Sequence, residues 1–334
     1  MMRHYFSFEA KGGALFLPFL AAWALTVGGT AAYLCMAARF AVPEPLLDWA
    51  FAAHVLCRLL LAVLLQAAQC LALYFFVRAT AGGVSLSGER ADIDYPPRRY
   101  ATLCVKGILL STVTLGVYAP WFIRDLMRYF AEGTSLRLQP MEFRGSASFL
   151  FSYAVLLGVA PAFVICSVMP AVLLRARLGA EGMYVLAGVL WLGLLALLCV
   201  YRAVALKWYM HLAWGHRRIV SQVCGWRGGR FLLGQALLTV VTLGLYYPMA
   251  LLRVWRYYAD RLVLGREEIE GRFGFTVQPW RNYRFVLGQL LLSVVTLGLY
   301  YPWAYVRVAS LLIGRTYVEE QPQREREPMP ACDC

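Results

Sequence analysis

One apolar stretch carries side chains that could do chemistry. His54, Arg58, Gln66 and Gln69 fall within about a third of a helix circumference, so a helix over Trp49 to Val77 would gather them into one polar stripe. An arginine inside such a stretch is expensive to keep in an apolar medium. Two readings follow. Either the stripe handles an ion or small solute, or Arg58 snorkels to a near surface while the glutamines bond neighbouring helices.

A second set is basic and aromatic. Arg124, Arg128, Arg253, Arg256 and Arg307 follow Tyr118, Tyr246, Tyr247, Tyr300 and Tyr301 at short spacings. Guanidinium forks in that setting can hold lipid phosphates or another anion, or they can form the basic rim and aromatic belt that fix helix depth. No catalytic pattern accompanies them. The chain has no nucleotide-binding glycine loop and no nucleophile elbow, and His211 and His216, five apart, fall on different helix faces. Cys332 and Cys334 form a CxC without companion ligands. No enzyme, cofactor or metal site is expected.

The elements that must position these residues are repeated. Arg230 to Val254 and Arg284 to Val308 are identical at 19 of 25 positions, and Thr114 to Trp121 is a third, looser copy of their centre. Each copy places a glycine and then a proline at its centre: Gly116 and Pro120, Gly244 and Pro248, Gly298 and Pro302. Glycine suits the left-handed end of one helix and proline the first turn of the next, so each pair marks a break.

Composition sets the class. Sixty per cent of residues are hydrophobic and 15% are charged, which leaves too little polar surface to cover a soluble domain of this length. The expectation is an all-α polytopic membrane protein, its repeats joined by short interfacial strands. Seven apolar segments run from 14 to 38, 49 to 77, 103 to 123, 149 to 174, 183 to 200, 231 to 252 and 285 to 306, each long enough for a membrane helix. The membrane domain is read as 1 to 318, with repeats at 100–130, 230–258 and 284–312 and a polar tail from 319 to 334. Tyr5 to Glu9, Ser135 to Phe143 and Ile269 to Val277 alternate apolar and polar residues as strands do. The net charge of +13 is spread over the flanks of apolar segments, a pattern of lipid headgroup contact rather than nucleic-acid binding.

Topology can be read from the arginines and lysines. If all seven segments crossed, fifteen basic residues would face each side, against the positive-inside rule. If the three repeats dip in and return while the other four cross, 27 lie on one side and 3 on the other. Both termini are then cytoplasmic. A shallow placement of the repeats along the inner face would give the same count.

The repeated Thr-Leu-Gly-x-Tyr-x-Pro units, with Arg124, Arg253 and Arg307 downstream, resemble the YjgN-like family of bacterial inner-membrane proteins. That resemblance implies an inner-membrane location and this repeated architecture, and no particular activity. Two functions remain in view: a transporter or channel-like protein for a small molecule or ion, and a membrane scaffold or envelope-organising protein that binds anionic lipid or a protein partner.

Overall fold

A computed structural model describes residues 3–39, 49–159, 161, 180–276, 278–321 and 328. The chain opens with strand Arg3–Phe8 (β1) and two long helices, Gly12–Arg39 (α1) and Trp49–Ala81 (α2). Short strands Val84–Leu86 (β2), Glu89–Arg90 (β3) and Asp92–Ile93 (β4) lead into helices Pro97–Val113 (α3) and Ala119–Glu132 (α4). Strands Thr134–Leu136 (β5) and Gln139–Phe143 (β6) follow, then helix Ala147–Ala154 (α5), which runs into a π-helical turn at Val155–Val159. Helix Ala180–Tyr209 (α6) precedes strands Leu212–Trp214 (β7) and Arg217–Ser221 (β8). Helices Gly225–Val241 (α7) and Tyr247–Ala259 (α8) come next, then strands Leu262–Gly265 (β9) and Ile269–Phe275 (β10). Helices Pro279–Val295 (α9) and Tyr301–Ile313 (α10) and strand Thr316–Glu320 (β11) close the described chain.

The all-α expectation is overturned by these eleven strands. The helices absorb the apolar mass, while the strands lie in the linkers; alternation marks the stretches at 5–9, 135–143 and 269–277, but strands such as Glu89–Arg90 and Asp92–Ile93 are too short for a two-residue period to register. Three apolar segments, 103 to 123, 231 to 252 and 285 to 306, also resolve differently, since each straddles a helix break. Segment 149 to 174 is described only in its first part. The supposed tail begins inside β11, which continues through Glu320. Among the described residues, Gly12–Ala32, Val55–Ala81 and Gly188–Tyr209 are long and apolar enough to cross a membrane.

The strands clasp the helical excursions. β4 pairs with β5, β6 with β7, β8 with β9 and β10 with β11, all antiparallel. Each of these pairs joins the strand before an excursion to the strand after it. The helices between must leave and come back to the same place, whatever medium they enter.

The chain divides into two compact units. The first, residues 1–6, 139–287 and 311–334, holds an antiparallel sheet in the order β1-β11-β10-β9-β8-β7-β6. Arg3 faces Glu319 and Phe273 faces Val318 in its register, and ion pairs Arg3–Glu319 at 3.3 Å and Arg217–Glu270 at 2.7 Å lie across it. Helices α6 and α7 approach closely in this unit because Gly228 and Gly229 face Ala203 and Val200 with no room for a side chain.

The second unit, residues 7–138 and 288–310, is built on an aromatic base. Tyr74, Tyr95, Tyr100, Tyr129 and Phe130 are buried together with Phe122. Three of their hydroxyls are satisfied by main chain: Tyr74 donates to the Tyr95 carbonyl at 2.8 Å, Tyr100 to that of Cys70 at 2.6 Å, and Tyr129 to that of Pro96 at 3.0 Å, while the Tyr95 hydroxyl pairs with that of Thr134 at 2.6 Å. These bonds fix α2 against α3 and α4 at their strand-proximal ends.

Candidate functional site

The break in each repeat is a hydrogen-bonded tip. Thr114, Thr242 and Thr296 donate their hydroxyls to the carbonyls of Leu110, Leu238 and Leu292 and accept from the amides of Tyr118, Tyr246 and Tyr300, at 2.7–3.1 Å. Gly116, Gly244 and Gly298 donate back to the carbonyls of Ser111, Thr239 and Ser293, closing the last turn. These glycines have φ near +90°, and the leucine before each of them is also left-handed, at φ of 50–51°. Leu115, Leu243 and Leu297 thus accept a backbone conformation that costs a branched side chain roughly 1 kcal/mol. They are also 94%, 94% and 80% exposed. Each of the three equivalent tips therefore presents a strained, bare leucine. Pro120, Pro248 and Pro302 start the returning helices and are buried.

Behind two of the tips lies a relay that sequence reasoning missed. Arg253 donates to the Tyr246 hydroxyl at 2.6 Å, and that hydroxyl donates to the Gln235 side-chain oxygen at 3.0 Å. Arg307, Tyr300 and Gln289 repeat it at 2.7 and 3.0 Å. Each guanidinium also lies over the tyrosine ring, 5.7 and 5.9 Å from its centroid. Arg253 and Arg307 are exposed, so the fork is oriented on one side and open on the other. The first repeat lacks the relay: Gly107 and Asp125 stand where the others have glutamine and arginine, and Phe122 packs onto Gly107.

The other arginines of the set have different fates. Arg124 directs two donors to Asp125, at 2.9 and 2.7 Å, and Arg256 pairs with Asp260 at 3.2 Å. Arg128 is exposed on α4.

The polar stripe is divided. Gln66 and Gln69 reach a cavity of about 530 Å³ between α2, α3 and α4, where they meet Ser111 and Thr112. Arg58 lies exposed on α2 and does not line that cavity. The side chain of His54 lies outside the described residues. Among the described residues, no three His, Cys, Asp or Glu side chains gather where a metal ion could sit.

At the sheet end of α7, Cys224 occupies the cap position. The amides of Arg227 and Trp226 point at its sulfur and hold the thiol below its ordinary range.

A family model described as "Bacterial protein of unknown function (DUF898)" matches residues 3–144 and 261–326. A 53-residue stretch is 34% identical to the inner membrane protein YjgN of Salmonella typhimurium (strain LT2), covering 16% of this chain and 13% of that protein. No solved structure matches the chain.

Proposed function

Because the chain belongs to the bacterial DUF898 family and is YjgN-like, we propose that this membrane protein is a non-enzymatic, multi-pass inner-membrane platform that binds anionic lipid headgroups in the cytoplasmic leaflet. The observation that carries this reading is the open arginine fork, built twice from a Gln-Tyr-Arg relay. A fork whose orientation is already fixed loses little entropy when a phosphate docks on its free donors.

Depth agrees with that role. At roughly 1.5 Å per residue, Arg253 and Arg307 each stand about 9 Å, and Lys106 about 13 Å, from the strand-side end of its own helix. Within each unit taken by itself, a basic side chain at about that distance from the strands supports a phosphate plane there, with the strands on its watery side and the leucine tips in hydrocarbon. The repeats then enter one leaflet and return. The 27-to-3 distribution of basic residues that this arrangement gives supports the cytoplasmic leaflet as the one they enter.

The test is native mass spectrometry of the detergent-solubilised protein offered phosphatidylglycerol and phosphatidylcholine of matched chains. The protein should retain the anionic lipid preferentially, and Arg253→Ala with Arg307→Ala should reduce that retention about tenfold, each exposed fork contributing on the order of 1 kcal/mol. Equal retention of both lipids, or no effect of the double substitution, would overturn the reading.

Transport is a second reading, supported by the cavity beside Gln66 and Gln69. Ion flux through proteoliposomes that falls on Gln69→Leu would favour it; leakage no greater than in protein-free vesicles would count against it.

A further inference from the structure

The cavity between α2, α3 and α4 has a chemistry of its own. Its walls are aliphatic and aromatic except for Gln66, Gln69, Cys70, Ser111 and Thr112, and no charged side chain lines it. The Thr112 hydroxyl is already committed to the Ile108 carbonyl at 2.8 Å. The Ser111 hydroxyl is buried and has no hydrogen-bond partner. Ser111 lies about 21 Å along α3 from its start, and Gln69 about 18 Å along α2 from its end, so the polar groups of both helices stand at similar depths from their strands. Measured against the phosphate plane proposed for Lys106, both depths fall within hydrocarbon.

Three classes of occupant can be weighed. A charged ligand would surrender its hydration with no counter-charge to meet it, and the lining offers none. A pure hydrocarbon would leave the Ser111 hydroxyl unanswered. An uncharged head bearing a hydroxyl or carbonyl satisfies it, with the Gln69 amide alongside, while the apolar remainder of the wall takes a slim hydrocarbon body. The volume is within the range of small-molecule sites.

We infer that this cavity is a binding site for a neutral amphiphile, such as a long-chain alcohol, an isoprenoid quinone or a diacylglycerol, with its head between Gln69 and Ser111. The inference rests on the membrane placement of α2 and α3 but on neither arginine fork. Loss of anionic-lipid preference would leave it standing, and its failure would leave the lipid platform untouched.

The protein in phosphatidylcholine vesicles is exposed to a long-chain alcohol carrying a photoreactive diazirine, and in parallel to the matched fatty acid, which supplies an anionic head. Cross-linked peptides are then mapped by mass spectrometry. Labelling by the alcohol should concentrate on residues 62–73 and 108–126 and be competed by unlabelled diacylglycerol. It should fall about tenfold with Ser111→Val plus Gln69→Leu, which remove the head-group partners. Ala119→Trp, which fills the cavity and leaves the polar groups in place, should abolish it even if the first variant folds poorly. Labelling spread evenly along all lipid-facing helices, equal labelling by the fatty acid, or indifference to Ala119→Trp would overturn the proposal.

Discussion

Arg253 donates a hydrogen bond of 2.6 Å to the hydroxyl of Tyr246, seven residues earlier in the chain and on the same returning helical hairpin. Arg307 and Tyr300 reproduce the bond at the same separation. The tyrosine is the hinge of the arrangement, since its hydroxyl accepts from the arginine while donating to the side-chain oxygen of Gln235 or Gln289 and so has one orientation.

Removing the hydroxyl should therefore disturb both neighbours. Tyr246→Phe is expected to cost about 1 kcal/mol by leaving the Gln235 oxygen unanswered, and Tyr300→Phe a similar amount. Unfolding midpoints in detergent would measure this. An unchanged midpoint for both would show that the relay contributes nothing to the fold.

The tips offer a backbone test. At Gly244 an added Cβ meets nothing within 4 Å, so Gly244→Ala probes φ of +89° alone and should destabilise by about 1–2 kcal/mol. Leu243→Gly relieves strain in the same turn but removes apolar surface. It should raise the detergent midpoint while weakening insertion of the tip. A midpoint that falls on Leu243→Gly would contradict the account of strain.

Leu297 replaced by cysteine and labelled with an environment-sensitive fluorophore reports where the tip resides. The one-leaflet hairpin predicts strong quenching by brominated acyl chains and weak quenching by aqueous iodide. The reverse pattern would place the third tip in water.

In the first repeat the relay is absent for a packing reason, because a Cβ at Gly107 would collide with the ring of Phe122. Gly107→Gln, which copies the residue of the other repeats, is expected to cost about 2–3 kcal/mol by forcing α3 from α4. A neutral result in thermal unfolding would mean that Phe122 turns aside freely.

Cys224 gives a pH dependence with a definite sign. The amides of Arg227 and Trp226 stabilise its thiolate, so its pKa is lowered and the reactive form persists at lower pH than in an ordinary thiol. Iodoacetamide modification followed by peptide mapping should lose rate for an unstructured cysteine peptide added to the same reaction before it does for Cys224 as pH falls. Coincident profiles for the peptide and Cys224 would refute the capping effect.

Sequence spacing carried some of this and not the rest. The glycine-proline breaks were legible because they recur with the same residues in three places. The glutamines at 235 and 289 leave a signal too, identical residues at equal distances from Tyr246 and Tyr300, but the apolar run around them carries no polar periodicity that would mark them as a pair. Linkers such as Asp92–Ile93 could not announce a sheet, since a two-residue strand has no periodicity and its partner Thr134–Leu136 lies some forty residues away. Gln66 and Gln69 were found by their helical angle, whereas Ser111 became visible only when α3 was set beside them.

The pairing of β8 with β9 and of β10 with β11 bears on how such a chain could have grown. An excursion that starts and finishes at neighbouring strands is an even step, and copying it in tandem inverts nothing downstream. A 54-residue duplication could enter the gene in frame, and every later segment would keep its orientation.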